Sequence, residues 1–342
     1  MDMHRTATIK PFKVLFFCFI TLFFTNACNV KKNGYKKLQG NVFGTTFHIK
    51  YSDNLERDLS KNIAELFKEI NNSLSTYHNE SVISKLNSGI PSIEVDDDFK
   101  NVFVLAKKIH KNTEGYFDPT IGKTGNVWGF GPKKITKEPS VSEIDSLMQY
   151  VGFEKVSLKG NTVVKENKEI YLDFNAIAKG YGVDVAGLFL ESKGIKDYLV
   201  EIGGEIRARG KNAKGDDWSV GIEEPHFDGA RSLQKITHLK NEAIATSGNY
   251  RKFRIDSITG QKIAHTLNPK TGSPAQTDLL STSVISTKSC GEADAYATAF
   301  MAMGFEKARK IALQHPDLKV FFIYLENDKL KTYKSENLKF VE

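Results

Sequence analysis

The most constraining feature of the sequence is the segment CGEADAYATAFMAMG, residues 290–304. It places a carboxylate, Asp294, and a hydroxyl, Thr298, four residues apart among small and apolar side chains. This composition predicts a helix that is buried nearly all round. Residues at i and i+4 lie on one helical face, so both oxygens would point to the same place, and Mg²⁺ takes hard oxygen ligands. The spacing thus permits a metal site. The alternative is that Asp294 caps a helix start while Thr298 bonds its own backbone.

The first 27 residues differ from the rest of the chain. Three basic residues precede an apolar run, Val14–Phe24, and small residues follow it. This is the pattern of an export signal. The run is shorter than the roughly 20 apolar residues that a membrane-spanning helix needs.

Cys28 directly follows Ala27, which resembles a lipoprotein processing site, although Thr25 stands where a leucine is usual. We therefore expect an exported lipoprotein, held by a lipid on Cys28 and facing the periplasm from the inner membrane. The expected organisation is a signal peptide at 1–27, a lipidated linker at 28–40 and one domain at 41–342.

Composition and charge restrict the class of protein. With 40% hydrophobic and 26% charged residues, the chain has an ordinary globular composition. The net charge of +7 falls to +5 without the first 27 residues, which hold three basic residues and one acidic residue. This surplus forms no basic stripe interleaved with aromatic residues, so nucleic acid is not an expected partner. The one local cluster, Lys31, Lys32, Lys36 and Lys37, belongs either to a solvated tether or to a contact with anionic lipid.

Cys290 is the only cysteine after Cys28, so no disulfide can form within the domain. We expect it to be a small buried hydrophobic residue and not a nucleophile, because an exported chain with one internal cysteine depends on its core for stability.

Apolar periodicity along the chain predicts an α+β fold with largely antiparallel sheets and packed helices. Helical spacing predicts helices over 60–75, 99–112, 143–150, from the 173–184 segment through Leu190, over 290–304 and over 305–315. Alternation and β-branched runs predict strands near 47–51, 156–164, 170–174, 198–202, 206–209, 218–222, 243–247, 253–255, 281–286, 320–325 and 330–333.

Several connections carry polar groups or glycines suited to a ligand. In DFNAIAKGYGVD, residues 173–184, a strand-to-helix turn exposes backbone oxygens such as that of Ala176, and Lys179 is either a phosphate-binding cation or a solvated lysine. Gly203 and Gly204, before Glu205, fit a β-bulge or close contact with a nucleotide.

Glycines and aromatic residues recur in the segment 115–132, as expected where backbone approaches a ligand closely. Tyr77, at the end of the first helix, is either a core aromatic or an exposed ring that stacks on a planar cofactor. His265 is a general base, a phosphate donor or a plain surface residue.

Taken together, nine segments in this order resemble the ApbE family, the FAD:protein FMN transferases. They extend over about residues 40–335 and read FGTTFHI (43–49), LSTYHNESVISKLN (74–87), FDPTIG (117–122), WGFGP (128–132), DFNAIAKGYGVD (173–184), EIGGEIRARG (201–210), ATSGNYRKF (245–253), HTLNPKTGSP (265–274) and EADAYATAFMAMG (292–304). The resemblance implies a single catalytic domain of ApbE type. It also implies transfer of the FMN half of FAD to a Thr or Ser hydroxyl of a target protein, with release of AMP and a requirement for Mg²⁺.

The resemblance also implies roles for individual residues. Asp294, Thr298 and the Ala176 carbonyl match the metal seat, and Lys179 faces the diphosphate. Gly203, Gly204 and Glu205 lie near the AMP half of FAD. Tyr77 matches the aromatic that stacks on the isoalloxazine, and His265 matches a histidine implicated in transfer. Phe43, Gly44, Thr45 and Asp118 complete the cofactor-binding set, although the family commonly has methionine at the position of Phe43.

Three functions are compatible with these residues: the transferase, a Mg²⁺-dependent FAD pyrophosphatase that releases free FMN, and a non-catalytic FAD-binding lipoprotein. Asp294, Thr298 and His265 argue against the third. The first two differ in how well water is excluded from the acceptor site. The chain lacks a Gly-Ala-Thr string like those of flavinylated acceptors, so a separate acceptor protein is expected.

Overall fold

The structure is a computed structural model that describes residues 34–132, 135, 137–225, 232–249, 253–255 and 262–341. The predicted signal peptide and the predicted lipid attachment at Cys28 lie outside the described residues. No helix in the described ranges is both long enough and apolar enough to span a membrane.

The helices are α1 (Ser60–Leu74), α2 (Val82–Asn87), α3 (Asp97–Asn112), α4 (Gly122–Val127), α5 (Val141–Met148), α6 (Ala178–Ser192), α7 (Cys290–Met303) and α8 (Phe305–Gln314). The strands are β1 (Tyr35–Val42), β2 (Thr45–Ser52), β3 (Ser92–Glu94), β4 (Val156–Lys159), β5 (Thr162–Lys165), β6 (Tyr198–Ile202), β7 (Glu205–Arg209), β8 (Trp218–Glu223), β9 (Leu233–Leu239), β10 (Glu242–Gly248), β11 (Phe253–Ile255), β12 (Lys262–Ala264), β13 (Leu267–Asn268), β14 (Ser273–Pro274), β15 (Leu279–Ser286), β16 (Leu318–Glu326) and β17 (Lys329–Lys334).

One eight-stranded sheet organises the domain. Its order is β1-β2-β6-β7-β10-β15-β16-β17, and each neighbouring pair is antiparallel. Helices α6 and α7 lie on one face, over a core that includes Ile49, Val200 and Phe300. Residues of β8 and β9 join a second cluster with Ile244, Ile285 and Ile323. The predicted α+β class with largely antiparallel sheets is confirmed.

The two ends of the sheet carry different elements, with two glycine-containing turns at one end and the start of β1 at the other. Two tight turns, Phe43-Gly44 between β1 and β2 and Gly203-Gly204 between β6 and β7, lie at the same end because Phe47 pairs with Ile202. Tyr35, at the start of β1, lies at the other end. Seven residue steps separate Tyr35 from Val42, which is about 23 Å along a strand.

Helix α6 approaches α7 closely at a glycine. A Cβ built on Gly180 would lie 2.5 Å from the Cys290 carbonyl oxygen and 2.8 Å from Gly291 Cα, and neither backbone atom can rotate away. Asp184 fixes the same contact, because its carboxylate accepts hydrogen bonds from the Cys290 and Gly291 amides at 2.8 and 2.9 Å. The close approach therefore sets the position of α7 on α6.

Most predicted elements are present, with three differences. Residues 35–40, predicted as linker, form most of β1, because their backbone pairs with β2 from Tyr35↔Ser52 onward. The domain therefore begins before residue 41. Residues 170–174, predicted as a strand, have no strand partner; Leu172 instead exchanges two hydrogen bonds with the Asn87 side chain. The helices α2 and α4 and the strands β3, β9, β12, β13 and β14 were not predicted.

Gly180→Ala is expected to lower the free energy of unfolding by about 1–3 kcal/mol, the usual range for overpacking a well-packed site. Gly125→Ala, in α4, is the matched control because its Cβ would have an ordinary 3.8 Å contact. That control is expected to be neutral or stabilising by up to about 1 kcal/mol. Chemical denaturation measures both, and equal stability of the two variants would contradict the proposed close contact.

Candidate active site

The centre of the candidate site is Lys179, which lies between two carboxylates. Its Nζ is 2.8 Å from Glu205 Oε1 and 3.6 Å from Asp294 Oδ2. These residues come from three elements, since Lys179 is in the first turn of α6, Glu205 begins β7 and Asp294 lies on α7. Asp294 and Glu205 are 3% and 4% exposed, so two carboxylates share one cation away from bulk water.

This arrangement shifts the pKa values of all three groups. Burial raises the pKa of Glu205 to about 7, with Lys179 opposing the rise and Asp294 adding to it. Burial also raises the pKa of Asp294, against the effects of Lys179 and the Gly180 amide. Burial lowers the pKa of Lys179, but Asp294 and Glu205 outweigh this and raise it overall. The lysine is therefore charged, while the acids favour losing part of their negative charge.

Thr298 lies one helical turn beyond Asp294. It is the only residue of α7 that is not buried, so its hydroxyl is on the accessible side of an otherwise enclosed helix. Thr298 Oγ1 lies 3.3 Å from Ser247 Oγ on β10. The predicted pairing of Asp294 and Thr298 on one helix is therefore present, with Ser247 as a third oxygen beside it.

The Ala176 carbonyl lies just before α6. In a regular helix the Gly180 amide would donate to this carbonyl, four residues back. The Gly180 amide instead donates to Asp294 Oδ2 at 3.1 Å. The Ala176 oxygen is thus released from the helical pattern at the point where α6 meets the Asp294 carboxylate.

The β1–β2 turn lies against the β6–β7 turn. A Cβ on Gly203 would be 2.8 Å from Thr45 Cγ2, and the Gly203 amide donates to the Thr46 carbonyl at 3.0 Å. Phe43 and Gly44 have φ of 49° and 74°. Phe43 adopts the left-handed backbone conformation, which residues other than glycine rarely take. Its ring packs edge-on to Phe67.

Gly204, the second residue of the β6–β7 turn, has φ of 103° and its amide donates to Glu201 Oε1 at 2.7 Å. Glu205 follows directly. The glycine turn that the sequence associates with FAD is therefore continuous with the charged cluster.

Tyr77 is 60% exposed, so it is not a core aromatic. Partial burial raises the pKa of its hydroxyl, with a smaller contribution from Asp173. Asn175 Nδ2 donates to Thr76 Oγ1 at 3.4 Å, which ties the Tyr77 turn to the segment that carries Ala176. An exposed ring connected to the start of α6 is suited to stacking on a planar ligand.

Two predicted residues lie in other surroundings. Asp118 is buried and organises its own loop, because it accepts hydrogen bonds from Thr120 and from the Phe153 amide. No contact joins Asp118 to Lys179, Glu205 or Asp294 within the described residues. His265 packs edge-on to Phe130, with ring centroids 6.5 Å apart. The ligand-binding role of Asp118 and the catalytic role of His265 stay predictions.

Sequence reasoning assigned no role to Ser247, Asp184 or Arg207. Asp184 pairs with Arg207 at 2.8 Å, two residues along β7 from Glu205, so α6 and β7 are joined by two ion pairs of opposite polarity. Ser247 stands within the quoted segment 245–253, and Asp184 ends the quoted segment 173–184. The segments of the family resemblance therefore include Ser247 and Asp184. The residue that each of them contacts depends on packing between elements that are distant in sequence.

The donor set fits a magnesium ion. Asp294 supplies a carboxylate, Thr298 a hydroxyl and Ala176 a carbonyl, which are the hard oxygen types that Mg²⁺ binds. Two carboxylates against one lysine leave excess negative charge, and Glu205 Oε2 is buried without a hydrogen-bond partner. A divalent cation nearby would offset that charge.

Comparison with known proteins decides the family. The ApbE family profile matches residues 43–322. The chain belongs to the ApbE family. It is 35% identical over 315 residues to the FAD:protein FMN transferase of Haemophilus influenzae, covering 88% of this chain and 90% of that protein. It is 37% identical over 309 residues to the FAD:protein FMN transferase of Vibrio cholerae, covering 88% and 91%.

Solved structures agree with this assignment. The flavin transferase ApbE from Vibrio cholerae matches with a TM-score of 0.80 and 35% identity, over 89% of this chain and 97% of that chain. The ApbE protein from Thermotoga maritima matches with a TM-score of 0.78 and 28% identity, over 89% and 97%. The predicted ApbE membership, the ApbE-type fold and the assignment as an enzyme are confirmed.

Glu205→Gln is expected to change how stability depends on pH. Folding raises the pKa of Glu205 from 4.5 to about 7. The folded protein therefore binds more protons than the unfolded chain in this window, and the free energy of unfolding falls as pH rises through it. The shift corresponds to about 3 kcal/mol at ~1.4 kcal/mol per pKa unit.

The free energy of unfolding of Glu205→Gln, relative to that of the wild type, is therefore expected to rise by up to about 3 kcal/mol as the pH increases from 5 to 8. Urea denaturation in chelator-treated buffer measures the difference in free energy between the two proteins. A difference that stays constant across this pH range would contradict the raised pKa.

Proposed function

We propose that this chain transfers the FMN half of FAD to a Thr or Ser hydroxyl of a separate protein, through a phosphoester bond and with release of AMP. The observation that carries the proposal is the Lys179–Glu205–Asp294 cluster directly after the glycine turn at Gly203-Gly204. The names of the relatives support the same reaction. The proposal includes export and a lipid on Cys28, which the sequence pattern of residues 1–28 supports.

The reaction exchanges one phosphorus–oxygen bond for another. The acceptor hydroxyl oxygen bonds to the FMN phosphorus, the bond from that phosphorus to the bridging oxygen breaks, and AMP leaves with the bridging oxygen. The acceptor proton has to be removed. His265 is proposed to take it or to orient the hydroxyl, since an imidazole nitrogen can accept a proton.

Asp294, Thr298 and the Ala176 carbonyl are proposed to hold Mg²⁺. When bound, the ion neutralises negative charge that develops on the diphosphate oxygens as the linkage breaks. Lys179 is proposed to supply a second, fixed positive charge on the diphosphate. Its two carboxylate partners keep it protonated and oriented, so little reorganisation is needed at the moment of reaction.

The glycine turns and Tyr77 are proposed to hold the two halves of FAD. Gly203 and Gly204 have positive φ and no Cβ, which lets backbone approach the AMP half closely. The exposed ring of Tyr77 offers a stacking surface for the isoalloxazine, and Phe43, Gly44 and Thr45 are proposed to contact the flavin from the adjacent turn.

Asp294→Ala is expected to reduce FMN transfer by ~10²-fold or more, as for loss of a single electrostatic group that acts in the transition state. Thr298→Val, which keeps the side-chain volume but removes the hydroxyl, is expected to reduce transfer, and Thr298→Ser is the matched control that keeps it. The assay mixes the enzyme with FAD, Mg²⁺ and a flavin-acceptor domain and measures protein-bound flavin fluorescence on a denaturing gel.

The products distinguish the candidate functions. Protein-bound flavin supports the transferase, whereas free FMN and AMP without bound flavin would identify a pyrophosphatase. Tight FAD retention with no turnover would identify a carrier. Transfer by Asp294→Ala at the wild-type rate would contradict the assignment of the metal site.

A further inference from the structure

The end of the sheet opposite the candidate site carries a basic groove. An open groove of about 660 Å³ is lined by Tyr35 and Lys37 of β1, Lys50 of β2, the loop 211–217, and Trp218, Ser219 and His238. Its charged residues are Lys37, Lys50, Lys211 and Lys214 against Asp216 and Asp217. Positive charge is therefore in excess in the groove.

Two of the lysines in the groove repel one another in the protein by itself. Lys37 and Lys50 are directly opposite one another on β1 and β2, and both are exposed. Like charges opposite one another across a strand pair are destabilising. Lys211 pairs with Asp217 at 2.8 Å, but Lys37, Lys50 and Lys214 have no carboxylate partner in the described ranges. An external anion would relieve this repulsion.

Chain connectivity identifies the source of the anions. Seven residue steps separate Cys28 from Tyr35, which span at most about 25 Å when fully extended. With the predicted lipid on Cys28, Tyr35 and the groove beside it are kept close to the bilayer. The turns at Phe43-Gly44 and Gly203-Gly204 lie about 23 Å farther along the strands.

We propose that this groove, lined by Lys37, Lys50 and Lys214, docks on anionic phospholipid headgroups, so that the candidate active site opens away from the membrane. The acceptor hydroxyl would then be reached on a part of the partner protein that projects from the bilayer. Lysines near an anionic bilayer strengthen binding by roughly fivefold each, so the excess of lysines in the groove favours this orientation of an anchored domain.

The test is lysine footprinting of the full chain reconstituted in vesicles. Amine acylation is quantified by mass spectrometry in vesicles of phosphatidylcholine alone and in vesicles that also contain phosphatidylglycerol. We expect acylation of Lys37, Lys50 and Lys214 to be several-fold slower in the anionic vesicles than in the neutral ones, because each lysine near the anionic surface adds roughly fivefold to binding. High salt should restore it, because salt screens exposed charges. Lys329 and Lys331, on the opposite edge strand β17, are the internal controls and should not change.

A charge-reversal variant tests the cause of the protection. Lys37→Glu with Lys50→Glu should abolish the protection of Lys214, whereas Lys329→Glu with Lys331→Glu, an equal change of charge, should leave it intact. Equal acylation in the two kinds of vesicle would overturn the proposal, as would protection of Lys329 and Lys331. Equal protection by inorganic phosphate added to neutral vesicles would identify a free-anion site instead. The wild-type footprint decides the question even if the charge-reversal variant fails to fold.

Discussion

The structure depends on one half-buried lysine shared by two buried carboxylates. Lys179 joins Glu205 on β7 to Asp294 on α7, and so fixes the junction of three elements that are far apart in sequence. A buried ion pair with one excess carboxylate is unfavourable for stability by itself, because desolvation of the charges outweighs much of their attraction. We propose a chemical use for the excess carboxylate, since it would make the junction receptive to a divalent cation. The neighbouring pair Asp184–Arg207 has the opposite order of charges and holds the start of α7 in place.

The fold places the tightly packed helices α6 and α7 next to the two glycine turns at one end of the sheet. Helix α7 is buried except at Thr298, and α6 meets it at Gly180 with backbone in contact, so the oxygens of Asp294 and Thr298 are held by packing. Two of the parts proposed to contact FAD are turns at one end of the sheet, where the left-handed backbone of Gly44, Gly203 and Gly204 is tolerated without a side chain. A rigid charge cluster behind two glycine turns suits a large, flexible, anionic substrate such as FAD.

Local patterns predicted the elements better than the contacts between them. Helical spacing was sufficient for α1, α3 and α7, and the Asp294–Thr298 separation of four residues placed both side chains on one helix. The polar sequence of residues 35–40 predicts a linker, and the strand character of β1 comes instead from pairing with β2. Residues 170–174 have strand-like composition, but the backbone of Leu172 forms its hydrogen bonds with the Asn87 side chain and not with a neighbouring strand. Ser247 beside Thr298, and Glu205 bonded to Lys179, depend on tertiary contacts that no local period encodes.

If Mg²⁺ relieves the excess negative charge around Lys179, its binding should release protons from the neighbouring carboxyl groups. Mg²⁺ is titrated into the ligand-free enzyme by calorimetry at pH 7, in two buffers with different ionisation enthalpies. Because burial raises the pKa of Glu205 to about 7, this group is partly protonated at pH 7, and a nearby cation should expel protons from it. Mg²⁺ binding is therefore expected to release protons at pH 7 and almost none at pH 9. Binding heats that are the same in both buffers at pH 7, or no Mg²⁺ binding, would contradict it.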